Sequence, residues 1–110
     1  MQESQTITLS QTVDKQKHGI VLLWSEYANG NPLPSGYNYF FVPKSHVKYF
    51  NGGGVSMIMT NGSYFSHITG KYCYIHNDKI VGNARNIESG TKCGITYDNK
   101  GFVLRYVIGI

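Results

Sequence analysis

The sequence predicts an all-β domain, a small antiparallel β-sandwich or Greek-key barrel of about eight strands. Three observations predict it. Apolar residues alternate or fall in short runs, and no long window places them at helical spacing without an intervening glycine or proline. Turn-forming residues recur every 8–12 positions, roughly the spacing of strands in sandwiches and barrels. The composition holds nine tyrosines and 13 glycines but only 15% charged residues, which suits strands joined by tight turns and a surface that makes contacts.

Taken in order, residues 5–9 alternate, with Ile7 and Leu9 on one side. Residues 19–27 are the strongest element: Ile20, Val21, Leu22, Leu23 and Trp24 read as a strand buried on both faces. Residues 29–36 hold Asn, Gly and two prolines, a loop by turn chemistry. Residues 37–42 form an aromatic strand ended by Pro43. Residues 44–49 suit a turn or half-helix, and 51–54 a glycine-rich turn. A strand over 55–60 meets the hairpin signal Asn61-Gly62 and pairs back over 64–68. Residues 71–75 and 79–81 are further short strands around an Asn77-Asp78 turn. Residues 83–94 are polar, a loop with at most one short strand. Residues 94–97 and 101–108 flank a second hairpin-type turn at 98–101. The expected core is Ile20, Leu22, Trp24, Phe40, Val42, Ile58, Ile75, Val103 and Val107.

The 110 residues make one domain, 1–110, with one modest core. Net charge is +4, but the ten basic residues are scattered, so no nucleic-acid surface is expected. The start of the chain is polar, without a signal-peptide pattern, and no apolar run reaches membrane-span length. Cytoplasmic synthesis is therefore expected, with Cys73 and Cys93 as free thiols.

Catalytic and metal motifs are not visible. His18, His46, His67 and His76 have no metal-ligand spacing, and there is no Cys-x-x-Cys; no cofactor or metal is expected. Gly52-Gly53-Gly54 lacks the Lys-Ser/Thr of a phosphate loop. A small cell-wall hydrolase would need paired carboxylates, for which Glu26 or Asp98 is the candidate acid. A non-enzymatic role is the expectation. In the aromatic strand, Tyr37, Tyr39 and Phe41 share one face and Asn38 and Phe40 the other. Such a strand serves either as a stacking platform or as core and subunit contact. A saccharide site would draw on Tyr37, Asn38, Tyr39, Trp24 and Asn61, which combine rings with amide hydrogen-bonding groups.

Three segments carry a family resemblance: Ile7 to Ser10 through His18-Gly19-Ile20-Val21-Leu22-Leu23-Trp24-Ser25-Glu26-Tyr27; Asn38-Tyr39-Phe40-Phe41-Val42-Pro43-Lys44; and Gly94 to Gly109. Together they resemble the C-terminal domain of tail-tip proteins of phages and prophages of Gram-positive bacteria, the baseplate upper or receptor-binding type. The resemblance implies a virion protein of the distal tail and the last domain of a longer chain. It also implies a homo-oligomer, with a trimer favoured, alongside other tail or baseplate proteins. The function it implies is binding of a host cell-wall polysaccharide or positioning of receptor-binding proteins. The alternative is a purely structural oligomerisation module.

Overall fold

Strand pairing in the computed structural model, which describes residues 5–61 and 67–110 (the backbone alone at residue 61), builds two sheets that pack as a β-sandwich. Ten strands lie among the described residues. They are β1 (Thr6–Thr8), β2 (Gly19–Ala28), β3 (Asn31–Pro32), β4 (Asn38–Pro43), β5 (Gly53–Asn61), β6 (His67–Ile75), β7 (Lys79–Val81), β8 (Ser89–Lys92), β9 (Ile95–Asp98) and β10 (Phe102–Gly109). One short helix, α1 (Ser45–Phe50), follows β4 where a turn or half-helix is expected.

The smaller sheet centres on β2, which pairs antiparallel with β10 on one side and with β4 and the short β3 on the other. The larger sheet centres on β6. β5 runs along one edge of it, while β7 and β9 occupy the two ends of the other edge; β1 extends β7 and β8 extends β9. The core lies between the sheets. Ile20, Leu22 and Trp24 of β2 face Met57 and Met59 of β5 and Cys73 and Ile75 of β6 within one cluster. β2 is buried on its outer side too, at Leu23 and Ser25, as its unbroken apolar run predicts.

Several expectations change. Ile58 is not core: it is 69% exposed, and its neighbours Met57 and Met59 are buried. The pairing Val55↔Cys73, Met57↔Lys71, Met59↔Thr69 puts the odd positions inward, and a single-residue change of register reverses every side chain. In β10 the inward residues are Phe102, Leu104 and Val107, with Val103 opposite Ser25 on the outer face. A bulge at Arg105, between the pairs Leu104↔Trp24 and Tyr106↔Leu23, reverses the parity partway along the strand. Phe40 is half-buried against the core rather than within it.

Residues 98–101 do not close a hairpin. β9 stays in the larger sheet and β10 joins the smaller one, so this turn (Asn99–Gly101, 3₁₀) carries the chain across the sandwich. The β8–β9 hairpin turns instead at Cys93-Gly94, both at positive φ, the conformation of a type I′ turn. The pairing over 67–75 forms one continuous strand where two are expected, because Gly70 pairs with Ile58 without interrupting the ladder. The Asn61-Gly62 turn and residues 64–66 lie outside the described residues. Gly19 is required where it stands: its φ is +150° and a Cβ there would lie 2.2 Å from the Val42 carbonyl oxygen.

Cys73 is buried and Cys93 exposed, both as free thiols. Burial pushes the Cys73 thiol up from its ordinary range, which further suppresses its thiolate. Alkylation of the folded protein without reductant is expected to label Cys93 alone within minutes. Denaturant should then add a second label, detected by mass; an unlabelled pair would reveal a disulfide.

Candidate functional site

The outer face of the smaller sheet is the surface most in need of an explanation. Register places Tyr39 of β4, Leu23 of β2 and Tyr106 of β10 side by side across it. Phe41, Val21 and Ile108 form the adjacent row. Tyr39 is 65% exposed, Tyr106 62%, Phe41 53% and Ile108 40%, whereas Leu23 between them is only 8% exposed. Tyr37, just before β4, is also exposed. The face is therefore two raised aromatic ridges flanking a lower apolar furrow. Its one charged member is Arg105, at the bulge, whose Nη1 donates to the buried Ser25 Oγ at 3.1 Å. The register positions on this face hold no carboxylate and no side-chain amide.

The five residues expected to form a saccharide site do not come together. Tyr37 and Tyr39 lie exposed at β4, with Phe41 beside them. Asn38 is opposite Trp24 in register, on the inward side of the sheet; it is half-buried, and its Nδ2 donates to the Gly36 carbonyl oxygen at 2.9 Å. Trp24 is completely buried and cannot stack on a ligand from solvent; it belongs to the core. The backbone of Asn61 pairs with His67 at the end of β5, in the other sheet, and its side chain lies outside the described residues. Sequence reasoning overlooked Tyr106 and Ile108. Strict alternation along 102–109 gives a false parity there, and no residue type announces the bulge at Arg105.

The two candidate acids are engaged locally. Glu26 Oε1 accepts a hydrogen bond from Ser35 Oγ at 3.3 Å, and Asp98 Oδ1 accepts from the Lys100 backbone N–H at 3.1 Å. They belong to different sheets. Among the described residues no group of three or more His, Cys, Asp or Glu side chains could hold a metal ion. His46 Nε2 lies 3.2 Å from the Gly53 carbonyl oxygen, tying α1 to β5.

A polar knot occupies the interior. Lys71 of β6 is 4% exposed, and its Nζ donates to the carbonyl oxygens of Asn86 (3.0 Å) and Asn99. Nζ also lies 5.5 Å from the Trp24 ring centroid, within cation–π range. Asn86 grips β6 with its amide, accepting from the Tyr72 N–H and donating to the Tyr72 carbonyl. Asn99 accepts from the Gly70 N–H and donates to the Arg85 carbonyl. These bonds fasten the 84–101 segment, poor in apolar residues, onto the sheet. Desolvation pushes the Lys71 ammonium down to about 8. The groups that Nζ donates to are neutral backbone carbonyls, and desolvation outweighs the opposing pull of Cys73 and the Asp98 carboxylate, so the knot reads as structural.

A groove of about 530 Å³ runs along the seam between β1 and β10, lined by Ile7, Leu9, Gln16, Leu104, Arg105 and Val107 among others. No helix among the described residues is long and apolar enough to cross a membrane. Neither the family models, nor the curated proteins, nor the solved structures with which the chain was compared include a match to it.

Proposed function

We propose that the protein is a non-catalytic assembly module of a phage tail tip or baseplate, using the outer face of β2, β4 and β10 to pack against other subunits. One observation carries this reading: a sheet face with exposed Tyr39, Phe41, Tyr106 and Ile108 and, at its described register positions, no carboxylate side chain. Interfaces are enriched in aromatic residues and depleted of charge at their centres, which is the composition of this face. The sequence resemblance supplies the setting, a virion protein that positions receptor-binding components. Immunogold labelling of particles induced from the organism that encodes the chain tests it. Label at the distal tail is expected; particles free of the protein would overturn the reading.

Tyr37 and Tyr39, exposed on one strand, favour a second reading, in which a host cell-wall polysaccharide stacks there. Saccharide sites also need convergent polar groups, and Asn38 turns away from these rings. Titration with purified Gram-positive wall polysaccharide separates the two readings. Binding that Tyr39→Ala abolishes would establish the glycan role; an absence of binding leaves assembly as the function of the face.

A further inference from the structure

We infer that the outer face of β2, β4 and β10 docks a second copy of this chain, sheet face on sheet face, about a two-fold axis. This deepens the assembly reading and rests on it for the choice of face. The relief of the face is self-complementary. The ridges of β4 (Tyr39, Phe41) and β10 (Tyr106, Ile108) flank a furrow floored by Val21 and Leu23. A copy rotated by half a turn lays one of its ridges along this furrow and receives a ridge in return. Facing sheets interdigitate in this way at a spacing of about 10 Å.

The area is sufficient. With Tyr37, Tyr39, Phe41, Tyr106 and Ile108 between 40% and 65% exposed, the patch offers about 500–600 Å² per copy, at the upper end of what a monomer normally leaves bare. Two such patches bury about 1,000–1,200 Å², which reaches the roughly 1,000 Å² that separates specific interfaces from incidental contacts. Charge permits it too. The chain carries a net +4, yet this face holds only Arg105, whose guanidinium is turned onto Ser25 Oγ. Each copy therefore brings one guanidinium to the contact from the described register positions.

Mutual burial of one patch is an isologous contact that closes after two copies. A self-complementary patch thus favours a pair over the threefold assembly that the resemblance implies.

Sedimentation equilibrium of the full chain from about 1 to 500 μM tests this, with a monomer–dimer equilibrium expected on the order of micromolar Kd. Tyr39→Lys and Tyr106→Lys are each expected to raise Kd at least about tenfold. Ile58→Lys, an equally exposed substitution on the other sheet, is expected to leave it unchanged. Amide shifts of the wild-type protein give a second readout that needs no variant: changes with concentration should be confined to β2, β4 and β10. A monomer throughout, a trimer, or a dimer indifferent to Tyr39 and Tyr106 would each overturn the inference. None of these outcomes bears on whether the protein is found on tail particles, so the assembly reading is judged separately.

Discussion

Replacing Trp24 with alanine is expected to destabilise the fold by about 3–5 kcal/mol, the cost of truncating a fully enclosed aromatic ring. The indole has no solvent exposure and lies at the centre of the cluster formed by Ile20, Leu22, Met57, Met59 and Phe102. Deleting it leaves a cavity that strands pinned by ladder bonds on both sides of β2 cannot close. It also removes the ring beneath the Lys71 ammonium. Such a loss is a large share of the total stability of about 5–15 kcal/mol of a typical domain. Urea unfolding reads it directly: a lowered midpoint with unchanged slope is expected. Trp24→Phe should lose less, because a ring remains and the indole N–H, unpartnered among the described residues, is no loss. An unchanged midpoint in Trp24→Ala would place the indole in solvent and restore it to the surface site.

Lys71 is expected to contribute roughly 3 kcal/mol of stability that is gained as pH rises above neutrality, opposite in sign to the contribution of the buried Cys73 thiol. The ammonium titrates at about 8 in the fold and at 10.5 when free, because the buried environment disfavours its charge. Between those values the unfolded chain holds the proton and the folded one has released it, so raising the pH favours folding. The gain begins near pH 8, is complete above 10.5, and is lost as pH falls back through 8. Neutral Lys71 still donates to the carbonyls of Asn86 and Asn99, so the knot survives the loss of charge. The measurement is the difference in unfolding free energy between wild type and Lys71→Met at pH 7, 8, 9 and 10. This subtraction removes the contribution of groups that the two proteins share. A difference that stays flat over these pH values would show that Lys71 keeps an ordinary affinity for its proton.

What could be read from the sequence is uneven for physical reasons. β2 and β4 announce themselves because a run such as Ile-Val-Leu-Leu-Trp is apolar in both parities, and no choice of register can make it a surface strand. The exposed row Tyr37, Tyr39, Phe41 follows from simple alternation, so half of the outer face was legible. The other half was not. Tyr106 and Ile108 share that face only because one residue, Arg105, is left unpaired against β2, a fact about two strands that neither states alone.

The same division runs through the chain. Local composition determined that the protein is built of β-strands joined by turns, where β2 and β4 lie, that Ile20, Leu22, Trp24, Val42 and Ile75 are inside, and that a turn or half-helix follows β4; the parallel pairing of β6 with β9 was not among these. Those properties depend on side-chain hydrophobicity, backbone preference and turn chemistry, which act over a few residues. Pairing decided the rest. Met57 and Met59 rather than Ile58 enter the core because β6 sets the register of β5. β9 and β10 part to different sheets although a tight turn joins them. Lys71, a residue that composition assigns to solvent, is buried because the carbonyls of Asn86 and Asn99, 15 and 28 positions away, converge on its ammonium. A register or a buried polar contact is fixed by the free energy of the whole packed arrangement. No single segment contains it, and it exists only once distant strands have met.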